Sequence, residues 1–318
     1  MCKVVIAKTN EISHEEWLKL RLKGVGGSDA AAVCGMSRYS SPLDVWLMKT
    51  RKKAAEPDND KMYFGRLLEP IIREEFAKRT GFKVQECPFM FAYKEFPFMI
   101  SNIDGVVTEP NGNKAVLEIK TTNSVSAIKD LEDGLPVEYF FQVQHYLAVT
   151  NLNKAFVAVL IGGNDFKIQA VERDDEVIQT IIALESKFWS DYVLKEVQPP
   201  ADFNSSDALN QLYPKSNSKT VNLSADADYL VAQYQEIKTA EDELKKAKTE
   251  CENKLKAMLG ENESGITEIG YKVLWKSYSQ SRLDSTKLKA EFPDIAEKFM
   301  TSTSGRKFSI SEPKKSKK

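Results

Sequence analysis

Three charged side chains around one tight turn carry the most definite chemistry in this 318-residue chain. The segment Ile100-Ser-Asn-Ile-Asp104-Gly-Val-Val-Thr-Glu-Pro-Asn-Gly-Asn-Lys-Ala-Val-Leu-Glu118-Ile-Lys120 has two apolar runs flanking Pro110-Asn111-Gly112. That composition specifies an antiparallel hairpin. With the loop centred on Asn111, paired residues have numbers summing to 222, so Asp104 faces Glu118 with Cβ atoms about 5 Å apart. Side chains two apart share a strand face, which places Lys120 beside Glu118, about 6.5–7 Å along. Leu117 and Ile119 then turn into the core. Opposed carboxylates at the end of buried strands are unfavourable without a positive charge between them. A divalent cation supplies it, and oxygen-only ligands without histidine favour Mg²⁺, or Mn²⁺ as a substitute, over zinc. Lys120 would orient or deprotonate an attacking water. An exposed polar strand end is the alternative, because an Asp and a Glu-x-Lys meet often in a chain that is 29% charged.

Several elements must position this hairpin. A helix from about Lys61 to Thr80 stops at Gly81, with Pro70 either kinking it or marking a start near Glu69. Glu69 shares a helical stripe with Gly65, Ile72 and Phe76 and interrupts an apolar face; it is a boundary residue or a further carboxylate reaching the metal. A helix from Pro136 to about Thr150 presents Gln142 and Gln144 among aromatics, as a substrate-facing helix or a half-exposed amphipathic one. Upstream, Ser13-x-x-Glu16 forms a capping box. Gly24-Val-Gly-Gly27 turns into an alanine-rich helix capped by Ser28-Asp29, and Ser41-Pro42 opens another. Residues 82–121 read as β structure. Strands at Ala155–Ile161 and Phe166–Val171 precede a helix from Asp174 to about Glu196. The expected fold is α/β (α+β): a central mixed β-sheet flanked by helices over residues 1–200.

A Pro-, Asn- and Ser-rich linker is expected over 201–222, and a separate module over 223–318. There Leu223, Ala227, Leu230, Tyr234, Ile237, Leu244, Cys251, Leu255 and Met258 recur in steps of three and four, interrupted by Glu241 and Lys248. This predicts a long amphipathic helix, followed by a short β region near Tyr271–Tyr278 and helical structure over Ser285–Met300. The stripe packs on its own module, or it serves self-association or a partner protein.

Composition narrows the function classes. Four cysteines (Cys2, Cys34, Cys87 and Cys251) are scattered without C-x-x-C spacing and only two histidines exist, so neither zinc nor an iron–sulfur cluster is expected. No secretory leader and no membrane-length apolar run is present, which predicts a cytoplasmic protein with no membrane partner. Net charge is −1, yet residues 1–53 hold ten Lys/Arg against five Asp/Glu, and the tail from Thr301 holds six against one. Such local basic surface attracts phosphate.

Taken together, these residues resemble the PD-(D/E)xK nuclease superfamily, and within it the YqaJ-like viral recombinases related to phage lambda exonuclease. Asp104 with Glu118-x-Lys120 matches the superfamily core, although Ile103 stands where the name has proline. Gly65-Arg-Leu-Leu-Glu69-Pro70 is similar to the family helix that adds a carboxylate, and Gln142, four residues before Tyr146, to the glutamine that contacts the site. Arg21, Ser28 and Arg38 have the spacing of the family's terminal 5′-phosphate pocket, a chemistry guanidinium groups suit. The resemblance covers about residues 12–200. It implies a Mg²⁺-dependent 5′→3′ exonuclease acting on double-stranded DNA ends, with Asp104, Glu118 and the Ile119 backbone carbonyl as metal ligands and Glu69 assisting. Lys120 would activate the water and Gln142 help position it. It further implies 3′ overhangs for a single-strand annealing protein, a homo-oligomer in the form of a ring-shaped trimer, and a phage or prophage protein acting inside a bacterial host. Two alternatives stand beside it: an endonuclease with the same core, and a non-catalytic DNA-binding or scaffold protein whose functional part is the helix 224–259.

Overall fold

Residues 3–53, 58–123, 129–131, 134–302 and 304–311 are described by the computed structural model. The basic run Lys314–Lys318 and Cys2 lie outside them. The chain divides into two units, Met1–Pro214 and Lys215–Lys318.

The hairpin is the hub of the first unit. Strands β6 (Gly105–Thr108) and β7 (Lys114–Thr122) pair antiparallel with Gly105 opposite Leu117 and Thr108 opposite Lys114, the register expected from the turn. Gly112 closes that turn at φ 84°, where a side chain would be strained. Strands β3 (Lys83–Gln85), β8 (Lys154–Ile161) and β9 (Asp165–Glu172) complete a mixed five-stranded sheet in the order β3-β6-β7-β8-β9. β7 and β8 are parallel, so their connection must cross a face of the sheet. Helix α5 (Val137–Thr150) makes that crossing.

Period-two alternation divides β7 between two cores. Leu117 and Ile119 pack with Ile72 and Phe76 of α4 (Asp60–Thr80). Val116 packs on the other face with Val143 and Leu147 of α5 and with Ile178 and Ile181 of α6 (Asp175–Lys187). Phe76 and Ile72 are essentially fully buried, each stabilising the helix–sheet contact by about 2 kcal/mol. α4 runs continuously through Pro70 and ends on Gly81 in the left-handed region, φ 71°.

A second mixed sheet, order β1-β4-β5-β2, was only partly foreseen. β4 (Phe89–Tyr93) and β5 (Met99–Asn102) fall in the expected β region. The edge strand β1 (Lys3–Lys8) and the two-residue β2 (Val25–Gly26) did not register as strands. β2 delivers the chain into α2 (Gly27–Val33); α1 (His14–Arg21) precedes it and α3 (Pro42–Lys49) follows. Both α1 and α3 start on the anticipated serine caps.

The expected linker differs in part. Residues 206–212 form α7 (Ser206–Leu212), whose Ala208, Leu209 and Leu212 pack with Trp46 and Phe188 in the first unit. The Asn- and Ser-rich composition hid a short amphipathic helix, and the unit boundary falls after Pro214. The second unit holds α8 (Ala225–Leu259), a β10–β11 hairpin (Ser264–Ile266 and Lys272–Leu274), α9 (Ser285–Glu291) and α10 (Pro293–Lys298). Among the described residues no helix is long and apolar enough to cross a membrane.

Candidate functional site

Glu118 and Lys120 emerge from β7 on the face covered by α5, while Asp104 sits at the bend just before β6. Extending the β6–β7 register by one residue puts Asp104 opposite Glu118. The Asp104 carboxylate Oδ2 accepts the Ile119 backbone N–H at 2.7 Å. The Lys120 ammonium donates to Glu118 Oε1 at 2.7 Å and to Gln142 Oε1 at 2.9 Å. Gln142 Nε2 in turn donates to Glu118 Oε1 at 2.7 Å and to the Tyr146 hydroxyl at 2.8 Å. Asp104, Glu118, Lys120 and Gln142 therefore converge, as their sequence positions imply. Lys120 also lies 5.2 Å from the centre of the Tyr139 ring, a favourable place for a cation.

The electrostatics of this cluster are unbalanced. Burial, then the Glu118 and Glu69 carboxylates, push the Asp104 carboxyl well above the usual carboxylate range. Burial alone would lower the Lys120 ammonium, but contact with Glu118 outweighs it and holds the group above its ordinary value. Glu118 Oε2 is buried with no hydrogen-bond partner, an arrangement that costs about 1–3 kcal/mol or more for a charged group. A cation at that oxygen would remove the penalty.

Glu69 is held at one remove. Its carboxylate pairs with Arg73 one turn further along α4, and Arg73 Nε donates to the Asp104 carbonyl at 3.1 Å. Burial, opposed by Arg73, raises the Glu69 carboxyl. Arg73 escaped sequence reading; its only signal was an arginine four residues after a carboxylate on the same helical face. Among the described residues no three His, Cys, Asp or Glu side chains form a ready-made metal cage. The donors nonetheless suit Mg²⁺, which keeps several waters and commonly takes only one or two protein carboxylates. Asp104 and Glu118 would hold it, with Glu69 available once released from Arg73. Cys34, Cys87 and Cys251 are free thiols.

The expected phosphate-binding residues divide. Arg21 donates to the Ser28 hydroxyl at 2.7 Å, and its guanidinium lies 5.1 Å from the Trp17 ring centre. Beneath them, Asp29 accepts the Gly26 N–H at 3.0 Å and pairs with the buried Lys49 at 2.7 Å. Lys49 also donates to the Arg21 carbonyl at 2.9 Å, so Asp29, expected only as a helix cap, and Lys49, not singled out by sequence, brace the Arg21–Ser28 pair. Arg38 does not join it. Its guanidinium bridges Asp130 at 2.6 Å and Glu138 at 3.3 Å, tying it to the first turn of α5.

A close packing contact links this brace to the carboxylate cluster. A Cβ on Gly27 would lie 2.4 Å from Cε1 of Tyr146, whose hydroxyl holds Gln142. Only glycine lets α2 approach so near. Burial, followed by Glu118 and Asp104, pushes the Tyr146 hydroxyl well above its ordinary value, so it stays a neutral donor and acceptor.

Comparison with known proteins gives consistent matches. The model of the YqaJ-like viral recombinase domain matches residues 16–153. The YqaJ protein of Bacillus subtilis (strain 168) is 39% identical over 316 residues, 97% of each chain. Among solved structures, the alkaline exonuclease LHK-Exo of Laribacter hongkongensis is 24% identical, covering 57% of this chain and 94% of that one, with a TM-score of 0.48. Its complex with dAMP gives 24%, 62% and 98%, with a TM-score of 0.49. On the near full-length match to the Bacillus protein, this chain belongs to the YqaJ-like viral recombinase family.

Proposed function

We propose that the protein is a Mg²⁺-dependent deoxyribonuclease that degrades linear double-stranded DNA from its 5′ ends. The observation that carries this reading is the buried Glu118–Lys120–Gln142 cluster beside Asp104, with one Glu118 oxygen left unpartnered. Bound Mg²⁺ would supply charge neutralisation at the scissile phosphate and an acidified water. Asp104, Glu118 and the Ile119 carbonyl are its ligands in this reading, and Glu69 assists. Gln142 fixes the orientation of Glu118 and Lys120. Lys120, held protonated by Glu118, orients the attacking water and offsets charge that builds on the phosphate; it can take a proton only after losing its own.

Arg21 and Ser28 anchor the terminal 5′-phosphate, and Arg38 joins them after exchanging a carboxylate for phosphate. The product is a 3′ overhang for a single-strand annealing protein. The chain acts in the cytoplasm of a bacterial host as a phage or prophage protein, and a trimeric ring is the expected assembly of this unit.

The test is degradation of end-labelled linear duplex with and without Mg²⁺. Asp104→Ala and Glu118→Ala should abolish it, and retained activity would sink the metal assignment. Arg21→Ala should erase any preference for 5′-phosphorylated over 5′-hydroxyl ends. Cleavage of covalently closed circular duplex would instead establish an endonuclease.

A further inference from the structure

The second unit has almost no core of its own. Among its described residues only Leu259 and Ala296 are buried apolar side chains. The stripe along α8 stands in solvent: Leu230 is 62% exposed, Leu244 71% and Met258 81%, with Ile237 and Leu255 also exposed. The expectation that its own module would cover the stripe therefore fails. One ring contact, Phe308 against Tyr234 at 6.0 Å, touches a single position, and Tyr234 remains exposed. An exposed apolar row along a helix about 50 Å long, broken only at Glu241 and Lys248, marks an interaction surface.

Charge identifies the occupant. From Ala225 to Leu244 the helix carries six acidic residues against one lysine; from Lys245 to Leu259 it carries five lysines against two acids. The two polar interruptions of the stripe have opposite signs, Glu241 and Lys248, and sit one heptad apart. A parallel pair of such helices would oppose Glu241 to Glu241, Lys248 to Lys248 and the acidic half to itself, which like charges forbid. Running antiparallel, the acidic first half of each helix meets the lysine-rich second half of the other, except that Glu241, Asp242 and Glu243 of the two copies meet at the centre.

We infer that α8 pairs antiparallel with α8 of a second copy of this chain. The stripe itself sets the register. With paired numbers summing to 485, every seam position within the helix finds an opposite: Ala227 with Met258, Leu230 with Leu255, Tyr234 with Cys251, Ile237 with Lys248, Glu241 with Leu244. Lys248 of the second copy then lies about 6 Å along the axis from Glu241, within reach of its flexible side chain. The two Cys251 thiols are about 25 Å apart along the axis, far beyond disulfide reach. This interface is separate from the nuclease site and does not depend on the activity proposed for it.

The experiment uses the full chain. With Cys251→Ser as background, a chain carrying both Ala227→Cys and Met258→Cys is mildly oxidised and mapped by peptide analysis. Those positions are about 46 Å apart on one helix, so a 227–258 disulfide can form only between copies. The expected result is a covalent dimer through that linkage, and no Cys251–Cys251 linkage in the otherwise unaltered protein. Glu241→Lys should weaken self-association at least about tenfold, and Glu241→Lys with Lys248→Glu should restore it. Three outcomes would overturn the inference: a Cys251–Cys251 disulfide, which reports parallel helices; failure to form the 227–258 linkage; or a stripe protected only when a different protein is bound.

Discussion

Replacing Gly27 by alanine adds one carbon at the seam between the Arg21–Ser28 pair and the carboxylate cluster. Its Cβ would meet Tyr146 Cε1 at 2.4 Å and Cζ at 2.9 Å, where ordinary contact begins at 3.4 Å. The ring cannot swing away, because it is buried and its hydroxyl is held by Gln142. α2 must therefore retreat by about 1 Å or drag the ring and Gln142 with it. Overpacking of this kind costs about 1–3 kcal/mol, against a helix-propensity gain for alanine of at most about 1 kcal/mol. A net loss of about 1–2 kcal/mol lowers Tm by roughly 2–8 °C for a unit of this size. Function should suffer more, since a displacement near 1 Å can cost about a hundredfold in rate. The assays are thermal unfolding and kcat/KM on 5′-phosphorylated linear duplex. A double-mutant cycle with Tyr146→Leu separates the cause: the alanine should cost markedly less beside the smaller side chain. Equal cost in both backgrounds, or unchanged Tm and rate, would refute the contact as the link between the two sites.

Other perturbations test the remaining parts. Lys49→Met strands Asp29 in a buried setting and should destabilise the protein by about 3–5 kcal/mol; Lys49→Met with Asp29→Asn should recover much of that in chemical denaturation. Asp104 has a raised carboxyl, so the folded state holds its proton more tightly than the unfolded chain, for which 3.8 is the reference. The resulting stability is present below that reference and is lost as pH rises through the folded value. Metal-free Asp104→Asn should therefore unfold at a higher temperature than the parent at pH 8, lose that advantage near pH 3, and show no thermal response to Mg²⁺. Asp130→Ala releases one carboxylate from Arg38. Because that pair is solvent-screened, fold stability should hardly change, while competition binding to 5′-phosphorylated ends tightens a few-fold.

Legibility in the sequence followed the range of the interactions. The Asp104–Glu118 opposition was readable because a Pro-Asn-Gly turn fixes register locally, and alternation then fixes the face of Lys120. Helices α4 and α5 were readable from apolar period and from Gly81 and Pro136 as punctuation. The edge strand β1 was not, since Lys3–Lys8 is an unalternated apolar run that becomes a strand only by pairing with β4, some 85 residues away. Arg38 shows the same limit: its spacing from Arg21 and Ser28 is local, but its partners Asp130 and Glu138 lie about a hundred residues on. Asp29 reads in the sequence only as a helix cap, and Lys49, twenty residues on, as a surface charge, until tertiary packing buries them together. The α8 stripe was legible as a period but not as a surface, because period alone cannot say what covers it.

The contacts joining the two parts of the first unit bear on why a phosphate anchor would make this an end-directed enzyme. From Ser28 the path to Glu118 runs through Gly27, the Tyr146 ring, the Tyr146 hydroxyl and Gln142: one van der Waals contact and two hydrogen bonds, with no loop between them. The same glutamine also holds the Lys120 ammonium. A terminal phosphate bound by Arg21 and Ser28 would thus fix where the next phosphodiester falls relative to Asp104 and Glu118, through packing rather than through any flexible element. Proximity held by rigid contacts is worth far more than the same groups on independent loops. An endonuclease would gain nothing from that rigidity, because internal phosphates carry no end to anchor. On this reasoning the brace of Asp29 and Lys49, which stabilises Arg21 without approaching the carboxylates, should matter for the choice of DNA end while leaving the hydrolytic chemistry intact.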